Sequence, residues 1–101
     1  MRYEFHDQAR IELLESASFY EGRNIGLGTA FTNEIESTIR RIVSDPGQPR
    51  CIEGDVHRCL TKRFPYGILY TIEPEFILII AIMHCSRKPG YWRNRLPTRD
   101  S

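Results

Sequence analysis

Hydrophobic positions change their period twice along the chain. Tyr3 and Phe5 alternate with polar residues through His6, the period-two pattern of a short strand. Asp7 has the side-chain chemistry of a helix N-cap. From Gln8 to about Gly22 the period lengthens. Ala9, Leu13, Ala17 and Tyr20 then share about 80° of arc on a helix that turns about 100° per residue, which predicts an amphipathic helix. Ile11 and Phe19 fall outside that stripe, so they are expected to meet a second surface or to lie exposed. After the glycines at 22, 26 and 28, Leu27, Phe31, Ile35 and Ile42 trace a second stripe, with Thr38 inside it. That helix should end near Ser44, because Pro46, Gly47 and Pro49 cannot continue it. A short turn between two amphipathic helices predicts an antiparallel hairpin.

Beyond the Pro/Gly loop the period returns to two. Val56 to Lys62 is a candidate strand, interrupted at Phe64-Pro65, where proline suits a boundary or bulge. Tyr66, Ile68, Tyr70 and Ile72 alternate with Gly67, Leu69, Thr71 and Glu73 as a further strand. Glu73-Pro74-Glu75 is a turn. Phe76 to His84 is continuously apolar up to its last residue, the pattern of a strand covered on both faces. The predicted order is strand, helix, helix, three strands, then a tail. Segregated helices and strands give an α+β class, with an N-terminal strand and a helical hairpin on one face of an antiparallel sheet.

Length and composition narrow this further. At 101 residues the chain is read as one domain, 1–101, of ordinary globular composition. The run Phe76 to Met83 is far short of the roughly 20 apolar residues that span a bilayer, and MRYEFHDQ has no apolar signal-peptide core. Three cysteines, Cys51, Cys59 and Cys85, form no C-x-x-C pair and are read as reduced thiols of a cytoplasmic protein. His57, Cys59 and His84 could be recruited by a metal, but their spacing does not demand one, so no metal or other cofactor is expected.

The net charge of +1 conceals an asymmetry. Residues 1–57 carry ten acids and six bases, whereas residues 58–101 carry eight bases and three acids. The tail after His84 places Arg87, Lys88, Arg93, Arg95 and Arg99 around Tyr91 and Trp92. Arginines beside aromatics suit phosphates and bases, or equally an acidic protein. No phosphate loop, nucleophile elbow, zinc helix or dinucleotide fingerprint is present. His84 follows the apolar strand, where binding groups collect, and its imidazole suits acid–base work near neutrality. With Arg58, Arg87 and Tyr91 it could compose a metal-free RNA-cleaving set, although the spacing alone supports only a basic-faced binding domain.

Three stretches in register carry a resemblance. They are Phe19-Tyr20 with Gly26-Leu27-Gly28, Phe31 and Glu34-Ile35-Glu36; Phe64-Pro65-Tyr66 through Leu69-Tyr70 and Glu73; and Ile82 through Pro89 followed by Tyr91-Trp92 and Arg95. Together they resemble the RelE/ParE superfamily, toxins of bacterial type II toxin–antitoxin modules. The resemblance implies a cytoplasmic toxin that arrests growth, takes part in plasmid stabilisation, and is neutralised by a cognate antitoxin in a hetero-oligomer. The antitoxin's extended segment would dock on Ile11 and Phe19. RelE-type members cleave mRNA on the ribosome, whereas ParE-type members inhibit DNA gyrase. RelE-type enzymes place an arginine directly after the aromatic at position 66, where this chain has Gly67. The Phe-Pro-Tyr and His-x-x-Arg-x-Pro patterns look more like the ParE branch. The surface implied to meet the target is Arg58, His84, Arg87, Tyr91, Trp92 and Arg93. In the RNA-cleaving alternative, His84, Arg87, Tyr91 and Arg58 would be catalytic. A binding module without toxicity is the third reading.

Overall fold

A computed structural model of the chain describes residues 1–98, so Arg99 of the basic tail lies outside the described residues. The elements are β1 (Arg2–Phe5), α1 (Asp7–Arg23), α2 (Leu27–Ser44), β2 (Cys51–Glu53), β3 (Val56–Leu60), β4 (Tyr66–Ile72) and β5 (Phe76–His84), followed by a 3₁₀ turn at Arg93–Arg95. The sheet order is β1-β5-β4-β3-β2. The α+β class and the helical hairpin are as the periodicity predicts. Two features extend the expected antiparallel sheet. β1 joins β5 in parallel, so the sheet is mixed. β2 adds an antiparallel edge to β3 through a turn in which Gly54 takes a positive φ of 55°.

Local chemistry explains the helix ends. The α1 N-cap is His6, not Asp7: its Nδ1 accepts the Gln8 N–H, and Asp7 becomes the acidic first residue of the helix. The start of α2 has no side-chain cap of its own, since Gly26 occupies the N-cap with φ 90°. Glu21, reaching across from α1, accepts the N–H groups of Gly26 and Gly28 instead. Gly28 also sits where the helices touch: a Cβ there would come 2.5 Å from the Ala17 carbonyl oxygen. The Gly-Leu-Gly motif therefore combines a left-handed cap with a close helix crossing.

The sheet is covered on both sides, which accounts for the unbroken apolar run of β5. On one face Ala9, Phe31, Ile35, Ile39 and Ile42 of the helices pack over Ile68, Tyr70, Ile77, Ile79 and Ile82. Tyr20, Phe31, Phe64 and Tyr66 form an aromatic cluster there, with ring centroids 4.8–6.2 Å apart. On the other face Val56, Leu69, Ile80, Ala81 and Met83 lie under Trp92, flanked by Tyr91 and Leu96. The tail is thus the second layer of the core.

A β-bulge in β5 reconciles the two faces. Leu69 opposes Ala81 and Tyr70 opposes Ile79, so Ile80 is the extra residue. The bulge puts Ile80 and Ala81 on the same face and brings Ile82 back toward the helices.

Candidate functional site

β1 ends before β5 does, and side chains take over its edge. Beyond the bond from His6 N–H to the Ile79 carbonyl, Arg95 Nη1 donates to the Ile80 carbonyl at 3.1 Å and Ile82 N–H donates to Glu12 Oε1 at 3.0 Å. Arg95 and Glu12 are joined by two bonds of 2.8 and 3.0 Å, with side chains only 10 and 13% exposed. Tyr91 completes the set, donating its hydroxyl to Glu12 Oε2 at 2.6 Å. One carboxylate from α1 therefore fixes β5 and the tail together. Burial, reinforced by the bond to Glu12, pushes the Tyr91 phenol well above its ordinary pKa, so it stays a neutral donor at any physiological pH.

Five of the six expected target residues line two adjoining pockets, and Tyr91 lines neither. Arg58, Arg87, Trp92 and Arg93 line one of about 250 Å³, together with Met83 and Cys85. His84 and Arg87 line a smaller one of about 130 Å³, with Ser16, Tyr66, Glu12 and Glu15. Arg87 stands between them, its guanidinium stacked 3.9 Å above the Tyr91 ring.

Their roles differ from a uniform contact surface. Trp92, expected at the surface, is only 2% exposed, because its indole covers the outer sheet face; it supports the site from below. Tyr91 is half-buried, with its hydroxyl on Glu12 and one ring contact taken by Arg87. Arg93 is held bidentate by Glu53 at 2.6 and 2.7 Å, and that contact lowers the Glu53 pKa. Arg58 and Arg87 are exposed and make no ion pair among the described residues.

Gly67 gives Arg58 its place. A Cβ at 67 would lie 3.2 and 3.3 Å from Arg58 Cγ and Cδ, so the arginine stem lies flat on β4 where the side chain is missing.

His84 packs edge-on against Tyr66, at 5.2 Å between centroids. Its Nδ1 accepts the Ser86 N–H at 3.0 Å, and Ser86 Oγ lies 2.7 Å away. A backbone N–H only donates, so the neutral ring carries its proton on Nε2 and presents a donor outward. The Tyr66 hydroxyl donates to Ser16 Oγ at 3.0 Å.

The candidate metal ligands His57, Cys59 and His84 do not form a ligand group, although Cys51 Sγ lies 3.6 Å from the His57 ring. His57 stacks on Tyr70 and donates from Nδ1 to the Pro49 carbonyl, Cys59 is buried in the core, and His84 is on β5. The described residues contain no group of three or more His, Cys, Asp or Glu side chains that could hold a metal ion. On α1, Ile11 and Phe19 are 44 and 57% exposed, with Leu14 at 62%. Among the described residues no helix is long and apolar enough to cross a membrane.

Glu12 and Arg95 are the contributors that sequence reasoning did not place. They are 83 residues apart, and nothing local to Glu12 marks it as different from Glu15.

Comparison with known proteins agrees with this fold. No curated protein sequence matches the chain. A solved structure of the chromosomal ParDE toxin–antitoxin system from P. aeruginosa superposes with a TM-score of 0.71 at 18% identity, covering 83% of this chain and 95% of that one. The family described as the ParE toxin of the parDE type II toxin–antitoxin system matches residues 3–89. The chain belongs to the ParE toxin family of type II toxin–antitoxin systems.

Proposed function

We propose that the chain arrests bacterial growth by inhibiting DNA gyrase, acting in the cytoplasm through the face that carries Arg58 and Arg87. A cognate antitoxin would hold it inactive, and the pair would act in plasmid stabilisation. The observation that carries this reading is the fate of the tail aromatics. Single-stranded nucleic acid is gripped by exposed rings on which bases stack. Here Trp92 is buried and Tyr91 is engaged by Glu12 and Arg87, which leaves Arg58 and Arg87, without an ion pair among the described residues, as the prominent chemistry of the face. Two cations over an apolar floor suit an acidic protein surface. RNA cleavage would draw on His84 and Arg87, which share a pocket, but the neutral His84 ring already uses its one lone-pair nitrogen, Nδ1, to accept the Ser86 N–H, which disfavours it as a general base.

The antitoxin reading rests on other surfaces. Exposed Ile11 and Phe19 on α1 offer apolar area for an amphipathic segment. A groove of about 730 Å³ between β1 and α2, lined by Tyr3, Ile39, Arg40 and Val43, offers a second stretch.

The test is a supercoiling assay with purified gyrase and the purified chain. Wild type should inhibit, and Arg58→Gln with Arg87→Gln should abolish inhibition while the melting temperature is retained. An inhibitor as potent as wild type after both changes would remove the face from the mechanism. Cleavage of translated mRNA with gyrase unaffected would replace the reading with the RNA-cleaving one.

A further inference from the structure

We infer that the face is a preorganised two-arginine receptor for carboxylates of an acidic protein segment, and that Gly67 and Tyr91 are its positioning residues. This builds on the proposed target face but not on the identity of the target. An exposed arginine ordinarily samples many rotamers and loses that freedom on binding. Neither arginine here is free in that sense. The stem of Arg58 lies across β4 over Gly67, and a Cβ at 67 would press on it at 3.2 and 3.3 Å. The guanidinium of Arg87 is stacked 3.9 Å over a ring whose hydroxyl is fixed 2.6 Å from Glu12. Glu12 is in turn tied to the β5 backbone at Ile82. Both arginines face one pocket floored by Met83 and Trp92, so an apolar side chain of the same segment has a place to sit.

The third arginine of that pocket shows what the other two lack. Arg93 already holds Glu53 in a bidentate pair, the geometry a guanidinium makes with a carboxylate. Among the described residues the face thus holds one arginine already paired with a carboxylate and two that are not. A nucleic acid strand fits it less well, because the rings that would stack on bases are occupied.

The experiment follows the arginine Nε–Hε signals by NMR as the full-length chain is titrated with hexaglutamate or an oligothymidylate at physiological salt. In the free protein the Arg87 signal should be displaced by the Tyr91 ring current and should move toward the random-coil position in Tyr91→Leu but not in Tyr91→Phe. Hexaglutamate should shift Arg58 and Arg87 and leave Arg93 in place. Tyr91→Leu and Gly67→Ala should each weaken binding about five-fold, the scale of one lost exposed cation–π or ion contact. The nearest atoms to a Cβ at 67 belong to the side chains of Arg58 and Leu60, so Gly67→Ala carries the test independently of any folding defect in Tyr91→Leu. Tighter binding of the oligothymidylate, uniform shifts of all arginines, or unchanged affinity in Gly67→Ala would each overturn the inference. A gyrase assay that fails while hexaglutamate binds as described would leave this receptor standing and remove only the proposed target.

Discussion

Replacing Glu12 with alanine should damage the fold far more than removing any other acidic residue on α1. The side chain accepts four hydrogen bonds: from Ile82 N–H, from the Tyr91 hydroxyl and two from Arg95. Both members of the ion pair are nearly enclosed, at 13 and 10% side-chain exposure. Removing one partner of a buried pair costs about 3–5 kcal/mol, because the other charge is left without compensation. The residual exposure argues for the lower end, about 3 kcal/mol. For a domain of this size each kcal/mol moves the melting temperature by about 4–8 °C, so a fall of roughly 12–24 °C is expected. Arg95→Ala should lose a similar amount. The double variant should be little worse than either single one, with a coupling energy of about 2 kcal/mol from urea unfolding, since the second removal finds the pair already broken. Glu53→Ala is the control. Its bond to Arg93 is as short, but the side chains are 43 and 59% exposed, so the melting temperature should barely move. Additive losses at Glu12 and Arg95, or a Glu12→Ala melting temperature within a few degrees of wild type, would refute the reasoning.

Three further outcomes are expected. Gly28→Ala should cost about 1–3 kcal/mol in denaturant unfolding, because its Cβ would meet the Ala17 carbonyl oxygen at 2.5 Å and force the helices apart. Glu34 accepts the Lys62 N–H at 2.7 Å, and this bond, with Arg63 adding to it, lowers its carboxyl pKa against the opposing effect of burial. A depressed folded pKa gives stability that is present above the unfolded value of about 4.3 and is lost as pH falls through the folded one. Glu34→Gln should therefore be less stable than wild type at neutral pH, and the gap should close in acid unfolding below about pH 4. Phe19→Ser should leave the melting temperature nearly unchanged, as its ring is 57% exposed, and should weaken antitoxin binding in a calorimetric titration.

Elements with a strong period were readable from residue spacing. The α1 stripe of Ala9, Leu13, Ala17 and Tyr20 does face the core, and the apolar run of β5 is covered on both faces. What supplies the second cover was not readable. Periodicity says that a strand is buried, not by what, and a tail with five bases looks solvated until Trp92 is seen under it. β2 is three residues long and exists only by pairing with β3, though Glu53-Gly54-Asp55 before Val56 carries a turn signal. The parallel entry of β1 depends on the whole intervening chain.

The site shows the same division. Arg58, Arg87 and Arg93 were recognised by charge and position, and the structure does bring them to one pocket with Trp92. Their inequality comes from partners distant in sequence: Glu53 is 40 residues from Arg93, and Glu12 is 79 from Tyr91. The basic tail and the family resemblance together point to Tyr91 and Trp92 as contact residues. Packing buries Trp92 on the outer sheet face and sets the Tyr91 ring under Arg87.

The most direct measurement is to induce the chain alone in a bacterium and follow growth, plasmid supercoiling and mRNA integrity together. Gyrase inhibition predicts arrest with relaxed plasmid and intact mRNA, relieved by Arg58→Gln with Arg87→Gln. Arrest with normal supercoiling and cleaved mRNA, or no arrest at all, would contradict it.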